Sequence, residues 1–206
     1  MEMNRRHSSC SASAFTLIEL MVVVGIIALL IGFLFPVFQG VQNQAKKVQA
    51  KNDLTEIVTA VNAFYTEYGK YPLVTADATY GSTATPNEAL LNVLRAKNVT
   101  ENPRQIIFIS PPDVKDPLKP RSGIGTVAGT NQGRWFDPWG TAYYVAIDGN
   151  YDSQLLNPYS ANAGSVSLQA GVIAWSFGKD LASQSTAVTP TNKNTGTNKD
   201  DVISWQ

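Results

Sequence analysis

From Phe15 to Phe38 nearly every position is apolar (FTLIELMVVVGIIALLIGFLFPVF), and the one charge, Glu19, lies near the start. About 20 apolar residues in a helix cross a bilayer, so this stretch is long enough to be a membrane segment. Past Phe38 the apolar positions become periodic: Val41, Ala45 and Val48, then Leu54, Ile57, Val58, Val61, Phe64, Tyr65 and Tyr68. Spacings of three and four predict a continuing helix with one buried face. The opposite face carries Gln44, Lys47, Lys51, Asn52, Glu56, Thr59 and Asn62, all suited to water. Gly69 followed by Tyr71-Pro72 predicts the stop, because Gly favours the position past a helix end and Pro cannot continue one.

Beyond the helix the pattern is shorter and more broken. Leu73 to Thr85 reads as a polar loop, and Thr85-Pro86-Asn87-Glu88 as a capping box opening a second helix. Leu90, Leu91 and Leu94 form its apolar stripe, and it ends near Lys97. Ile106 to Ile109 is extended, whereas prolines and glycines from Ser110 to Arg134 predict a long loop. Asp137-Pro138-Trp139-Gly140 has the punctuation of a tight turn, Tyr143 to Ile147 reads as a strand, Asp148-Gly149-Asn150 as a turn, and Gly171 to Phe177 as a further strand. Gly178 to Lys199 is a polar tail closing on Asp200-Asp201-Val202-Ile203-Ser204-Trp205. The predicted class is α+β: a long N-terminal helix, membrane half plus amphipathic half, packed on a small antiparallel sheet. The organisation is a leader over 1–14, a membrane and assembly helix over 15–38, an amphipathic helix over 39–72, and a globular part with a C-terminal loop over 73–206.

Glu19 is the anomaly in this pattern. A carboxylate inside lipid costs roughly 2.5 to 3.5 kcal/mol at the centre of a span and less near its ends, so it needs a partner. A Glu lining a pore or snorkelling to the interface is the plainer reading. Gly25, Ala28 and Gly32 give another helix room for close approach. Pro36 removes a backbone hydrogen bond and should bend or loosen the helix there. Arg5 and Arg6, ahead of the span, place the leader in the cytoplasm and the long C-terminal part outside.

Composition narrows the chemistry. The 206 residues have a formal net charge of zero and a charged fraction of 16%, below the usual quarter, which predicts no nucleic-acid partner. Lys46, Lys47 and Lys51 form the one local concentration of positive charge, read as a solvated helix face, with lipid headgroups as the other reading. The single cysteine, Cys10, and the single histidine, His7, both belong to the leader. Lipidation of Cys10 would need an apolar stretch before it, and Met1 to Ser9 is polar. A mature chain without the leader has no thiol and no imidazole, which excludes cysteine nucleophiles, His-based triads and Cys or His zinc sites. No P-loop is present, and the chain is read as a non-enzyme.

The small residues Ser11-Ala12-Ser13-Ala14 come before the apolar run, the reverse of a secretory signal, so a cut between Ala14 and Phe15 leaves the apolar helix on the mature protein. Phe15-Thr16-Leu17-Ile18-Glu19 followed by an apolar helix resembles the N-terminal signature of type IV pilins and type II secretion pseudopilins. The resemblance implies a prepilin peptidase that cuts before Phe15 and methylates its new amine. One departure is Ala14, where the family usually has Gly. It also implies that Glu19, fifth in the mature chain, meets the N-terminal amine of a neighbouring subunit. A buried anion paired with a cation costs far less than an orphan. Pro36 then falls where family helices melt during assembly.

The C-terminal stretch Ser176-Phe177-Gly178-Lys179-Asp180 with Asp200-Asp201 and Trp205 resembles the calcium loop of the major, G-type pseudopilin. The match implies Ca²⁺ held by Asp180, Asp200 and Asp201, with Phe177 as a backbone carbonyl donor. The intervening segment, with Pro190, Asn192, Lys193 and Asn194, is longer than the family's compact acidic loop. Asp148-Gly149-Asn150-Tyr151-Asp152 imitates the opening of an EF-hand, but Ser153 and Tyr159 stand at its sixth and twelfth positions, and it reads as a turn. Trp135, Trp139, Tyr143, Tyr144 and Trp175 read as core rather than as a sugar-stacking platform. The resemblance covers Phe15 to Pro72, Asp137-Pro138-Trp139-Gly140 through Tyr144, and Ser176 to Asp180 with Asp200 to Trp205, but not Val74 to Arg134. It implies a pseudopilus subunit stored as a single-pass protein of the bacterial inner membrane, with its C-terminal domain periplasmic. Its implied partners are further copies in a filament, other pseudopilins, the inner-membrane secretion platform and the peptidase. A type IV pilus subunit, or a membrane-anchored glycan-binding module, are the alternatives.

Overall fold

The computed structural model describes residues 15–129, 131–182 and 191–206, and of residues 34–37 the backbone alone. Ala14 and the rest of the leader, with Arg5, Arg6, His7 and Cys10, lie outside the described residues. The chain divides into two compact units, Met1–Gln42 and Asn43–Gln206. Helix α1 (Leu17–Tyr68) starts in the first and ends in the second.

In the first unit, the large apolar side chains described from Phe15 to Phe33 are all exposed, Leu17 by 76% and Phe33 by 70%. An 18-residue window of this helix has a mean hydropathy of 2.9 and none of it is buried. Such a surface is stable only when lipid or another protein covers it. The positions of Gly25 and Gly32 are open, with no atom within 4 Å of where a Cβ would stand. No break in α1 falls at Pro36.

The second unit is organised on the later turns of α1. Ala50, Leu54, Ile57, Ala60, Val61 and Phe64 are buried, the three-and-four spacing of a helix with one face on a core. Val41, Ala45 and Val48 were expected on that face, but they are exposed. Periodicity identifies which side of a helix is apolar, and not where along it the partner surface begins. The helix stops as expected: Gly69 adopts φ +70° and its N–H donates to the Tyr65 carbonyl at 2.8 Å, a left-handed cap.

The main sheet has the order β1 (Ala78–Tyr80), β4 (Tyr144–Ile147), β7 (Val172–Ser176), β8 (Val202–Ile203), antiparallel throughout. Successive side chains in a strand point to opposite faces, and the two central strands divide accordingly. Val145, Ile147, Val172 and Ala174 join the α1 core, together with Leu90, Leu91 and Leu94. Ala146, Ile173 and Trp175 face a second cluster with Leu155, Tyr159, Ala163, Leu168 and Ile203. That cluster is roofed by the short pair β5 (Leu155–Leu156) and β6 (Ser167–Leu168). Both faces of β4 and β7 are therefore covered, and nearly all their residues are buried.

Several local expectations change. Residues 73–85 contain the edge strand β1, which three residues of Ala-Thr-Tyr do not announce against a polar background. The predicted long loop holds β2 (Gly123–Ile124), paired with β3 (Trp135–Phe136). Helix α2 is shorter than expected, Glu88–Leu94, and the capping box does not form. The Thr85 hydroxyl instead donates to the Thr79 carbonyl at 2.8 Å and meets the Ser82 hydroxyl at 2.9 Å. Asn87 turns inward: its amide donates to the carbonyls of Trp135 and Tyr143 at 3.1 and 2.9 Å, and its oxygen accepts from the Trp135 N–H at 3.2 Å. A buried strand end needs those partners, and that need outweighs capping a two-turn helix.

Candidate functional site

At the start of α1, Thr16 and Glu19 form a reciprocal cap. The Glu19 carboxylate accepts from the Thr16 N–H at 2.9 Å and from its hydroxyl at 2.8 Å, while the Glu19 N–H donates to the Thr16 hydroxyl at 3.3 Å. This is the Thr-x-x-Glu capping box, which satisfies helix-end donors that lipid cannot. The sequence carries the signal at residues 16–19, but attention to the charge of Glu19 passes over it. Phe15 precedes the cap and is 80% exposed. Phe15 and Glu19 thus both stand exposed at the start of the helix.

In the second unit Asp137 anchors the Asp-Pro-Trp-Gly turn. It is fully buried, and one carboxylate oxygen accepts from the N–H groups of Trp139, Gly140 and Thr141 at 2.9, 2.7 and 2.9 Å. The other accepts from the Ser176 hydroxyl at 2.5 Å, which ties the turn to the end of β7. Burial raises its pKa, and the four hydrogen bonds oppose that rise. Asp53, on α1, accepts from the Tyr143 hydroxyl at 2.7 Å. Its pKa is raised to about 6 by burial first, with Glu56 and Asp137 adding repulsion.

The chain just past Ser176 leads to the carboxylates predicted from the sequence. Asp180, Asp200 and Asp201 each place a carboxylate oxygen within 4.8 Å of the others. A 3₁₀ turn over Gly178–Asp180 and another over Gly196–Asp200 bring them together. Gly178 adopts φ +69°, and a Cβ there would overlap the Asp200 carbonyl, so only glycine fits. Asp200 accepts from the backbone N–H of Lys179 and, at 2.9 Å, from that of Asp180. Asp201 is 6% exposed; one oxygen accepts from the Tyr159 hydroxyl at 2.7 Å, and the other is buried without a hydrogen-bond partner among the described residues. Burial raises the Asp201 pKa to about 7, against the Tyr159 hydrogen bond and the charge of Lys193. Lys193 is itself 8% exposed, donates to the Asn198 carbonyl at 2.9 Å and lies over the Tyr159 ring. Phe177 precedes the first turn, its ring 4.6 Å from that of Tyr144. Three converging carboxylates, one with an orphaned buried oxygen, are a donor set for a hard cation.

The remaining sequence candidates resolve as structure. Asp148 accepts from the N–H groups of Tyr151 and Ser153 at 2.7 and 2.8 Å, so its oxygens close a turn. Trp135, Trp139, Tyr143 and Trp175 are buried, at 1, 5, 0 and 7% exposure, and Tyr144 is half-buried with its ring stacked on Trp175, so the five form no flat platform for a sugar. The residues that close the polar tail are docked on the sheet. Ser204 exchanges two hydrogen bonds of 2.9 Å with Ala174, and the Trp205 indole donates to the Ala163 carbonyl at 2.6 Å. The Lys51 ammonium donates to the carbonyls of Ile203 and Ser204 at 2.8 and 3.2 Å and to that of Gln206.

Known proteins bear on the helix. Residues 10–35 match the family described as the prokaryotic N-terminal methylation motif. The chain carries an N-terminal methylation motif. It is similar to the type IV major pilin protein PilA of Myxococcus xanthus (strain DK1622), 42% identical over 57 residues. The match covers 28% of this chain and 26% of that protein, so about a quarter of the relative's length is spanned. No solved structure matches the chain. The long N-terminal helix followed by an antiparallel sheet is the α+β arrangement expected from the sequence.

Proposed function

We propose that the chain is a structural subunit of a type II secretion pseudopilus. It is cut between Ala14 and Phe15 by a prepilin peptidase, held in the inner membrane by the 15–38 helix, and assembled into a filament through that helix. The observation that carries this reading is the pairing of the methylation motif over residues 10–35 with an apolar helix whose described side chains are all exposed. An uncovered helix with open glycine positions suits both lipid storage and helix-to-helix assembly. The role is mechanical. N-terminal mass spectrometry of the membrane-extracted protein tests it: the mature chain is expected to start at methylated Phe15, and an intact Met1 would leave an ordinary single-span anchor.

The choice of pseudopilus rests on the C-terminal carboxylates. Asp180, Asp200 and Asp201 suit a structural Ca²⁺, with the Phe177 carbonyl proposed as a further donor; the ion would supply the charge that the Asp201 oxygen lacks and fasten the two 3₁₀ turns. A ligand bound only by the native state must raise its stability. At millimolar Ca²⁺ the melting temperature is expected to rise by several degrees over that in chelator, and Asp180→Ala should abolish the rise. No shift would remove the calcium site. A type IV pilus subunit is the second reading, favoured by the relative's being a major pilin. A deletion strain separates the two: lost secretion with surface pili intact supports the first, and lost pili with normal secretion the second.

A further inference from the structure

Charge in the second unit is sorted although the chain as a whole is neutral. The ion pairs among the described residues, Lys70 with Glu101 and Arg104 with Glu67, involve residues near the C-terminal end of α1 and the segment after α2. Around the first turns of α1 in this unit the cations stand differently. A groove of about 730 Å³ is lined by four cations, Lys46 of α1 and Lys115, Lys119 and Arg121 of the loop before β2, against two carboxylates of that loop, Asp113 and Asp116. None of these four cations makes an ion pair or a side-chain hydrogen bond among the described residues.

The loop itself is amphiphilic. Leu118 is 86% exposed, the most exposed large apolar residue described, and is flanked by Pro117 and Lys119. Of the two acids in the groove, Asp113 is exposed and Asp116 is turned to the backbone, accepting from the Leu118 N–H at 3.0 Å, which leaves the cations in excess. That bond shapes a turn with Leu118 at its tip. Lys115, Lys119 and Arg121 are exposed around it. A projecting leucine among unpaired lysines and arginine is costly in water and suited to the headgroup layer of a membrane, where basic side chains meet lipid phosphates and an apolar tip enters the interface. Lys46 follows Phe38, the end of the apolar run, by eight residues of α1, about 12 Å of helix.

We propose that this groove and the loop over 115–121 dock on an anionic bilayer surface. Phospholipid phosphates lie against Lys46, Lys115, Lys119 and Arg121, and Leu118 enters the interface. This rests on the reading of 15–38 as a membrane anchor, and adds a second, charge-selective contact through the globular unit. The contact would give the stored subunit a preference for anionic lipid that extraction into a filament must break.

The test uses the full chain in nanodiscs of phosphatidylcholine alone or with phosphatidylglycerol. Lysine acetylation is read by mass spectrometry, with Lys70 and Lys97 as references. Labelling of Lys46, Lys115 and Lys119 is expected to fall several-fold in the phosphatidylglycerol discs and to recover at high salt. Lys115→Gln, Lys119→Gln and Arg121→Gln together, all at exposed positions, should remove the protection of Lys46. Equal labelling in both bilayers overturns the docking while leaving the anchor intact. Protection by inorganic phosphate with phosphatidylcholine discs points to a free-anion site instead, and protection that grows with the number of chains per disc points to a second copy; either result overturns it. A chain that enters neither disc defeats the anchor and the docking together.

Discussion

Asn87 and Asp53 are both polar groups placed where an apolar residue is the default, and their environments give opposite expectations. Asn87 is 1% exposed and spends every side-chain hydrogen-bonding group it can on strand carbonyls and an N–H. Asn87→Ala leaves those backbone groups unpaired in the core, a cost of about 3 kcal/mol in urea unfolding. Asn87→Asp, though isosteric, is expected to be at least as damaging, because it replaces the NH2 group that donates twice by an oxygen facing the carbonyls of Trp135 and Tyr143. Asp53 is the reverse case. Its folded pKa of about 6 lies above its ordinary value, so between the two the folded chain binds the proton more readily. Stability therefore rises as pH falls from about 7 towards 4, and is flat above. Tyr143, Glu56 and Asp137 are the charged or titratable groups acting on it. Asp53→Asn keeps an acceptor for the Tyr143 hydroxyl and removes the charge. Because solvent reaches part of the carboxylate, the expected gain at pH 8 is about 1 kcal/mol, vanishing near pH 4. Thermal melts of both chains across pH check the sign; a gain that persists at pH 4 would point to a cause other than ionisation.

At the scale of elements, what the sequence made legible was whatever a single stretch decides for itself. The stop of α1 at Tyr68 follows from Gly69 and Pro72, the turn at 137–140 from its own residues, and β4 and β7 from β-branched and aromatic runs. What stayed hidden depends on partners distant in the chain. Residues 78–80 become a strand only because Tyr144–Ile147 offers an unpaired edge, and 202–203 only because β7 offers the other. Asn87 leaves the helix cap for strand ends beyond residue 134. The carboxylate cluster was legible as a list through its resemblance to a known loop, whereas the buried orphan oxygen of Asp201 and the countercharge of Lys193 needed the fold. The C-terminal strand gives this distinction a test. Lys51 reaches carbonyls of residues 203, 204 and 206 from the helix, and truncation after Asp201 would strip β7 of its neighbour and uncover Trp175. The truncated chain is expected to unfold at lower urea, by about 3 kcal/mol. It should also expose an edge prone to association; a chain that stays monomeric and as stable as the parent would show that β8 is an ornament of the sheet.

For the whole molecule the deciding residue is Glu19, because two roles converge on one carboxylate. Within a single chain it closes the first turn of α1 with Thr16. In the proposed filament it neutralises the amine that cleavage creates at Phe15 of a neighbour. The two roles demand different chemistry: a cap needs an acceptor, which Gln also supplies, while the pairing needs a negative charge. Glu19→Gln should therefore insert into the membrane and remain helical, yet fail to assemble. Glu19→Ala should fail to assemble and also fray at the start of α1. Crosslinking of cells yields the ladder of assembled species, and circular dichroism of the purified chain in detergent gives the helix content, so the roles are read separately. Filaments at parental level from Glu19→Gln would reduce Glu19 to a helix cap and remove the charge pair from the assembly. Loss of assembly with intact helix content would instead make the charge at the fifth mature position the feature that joins one subunit to the next.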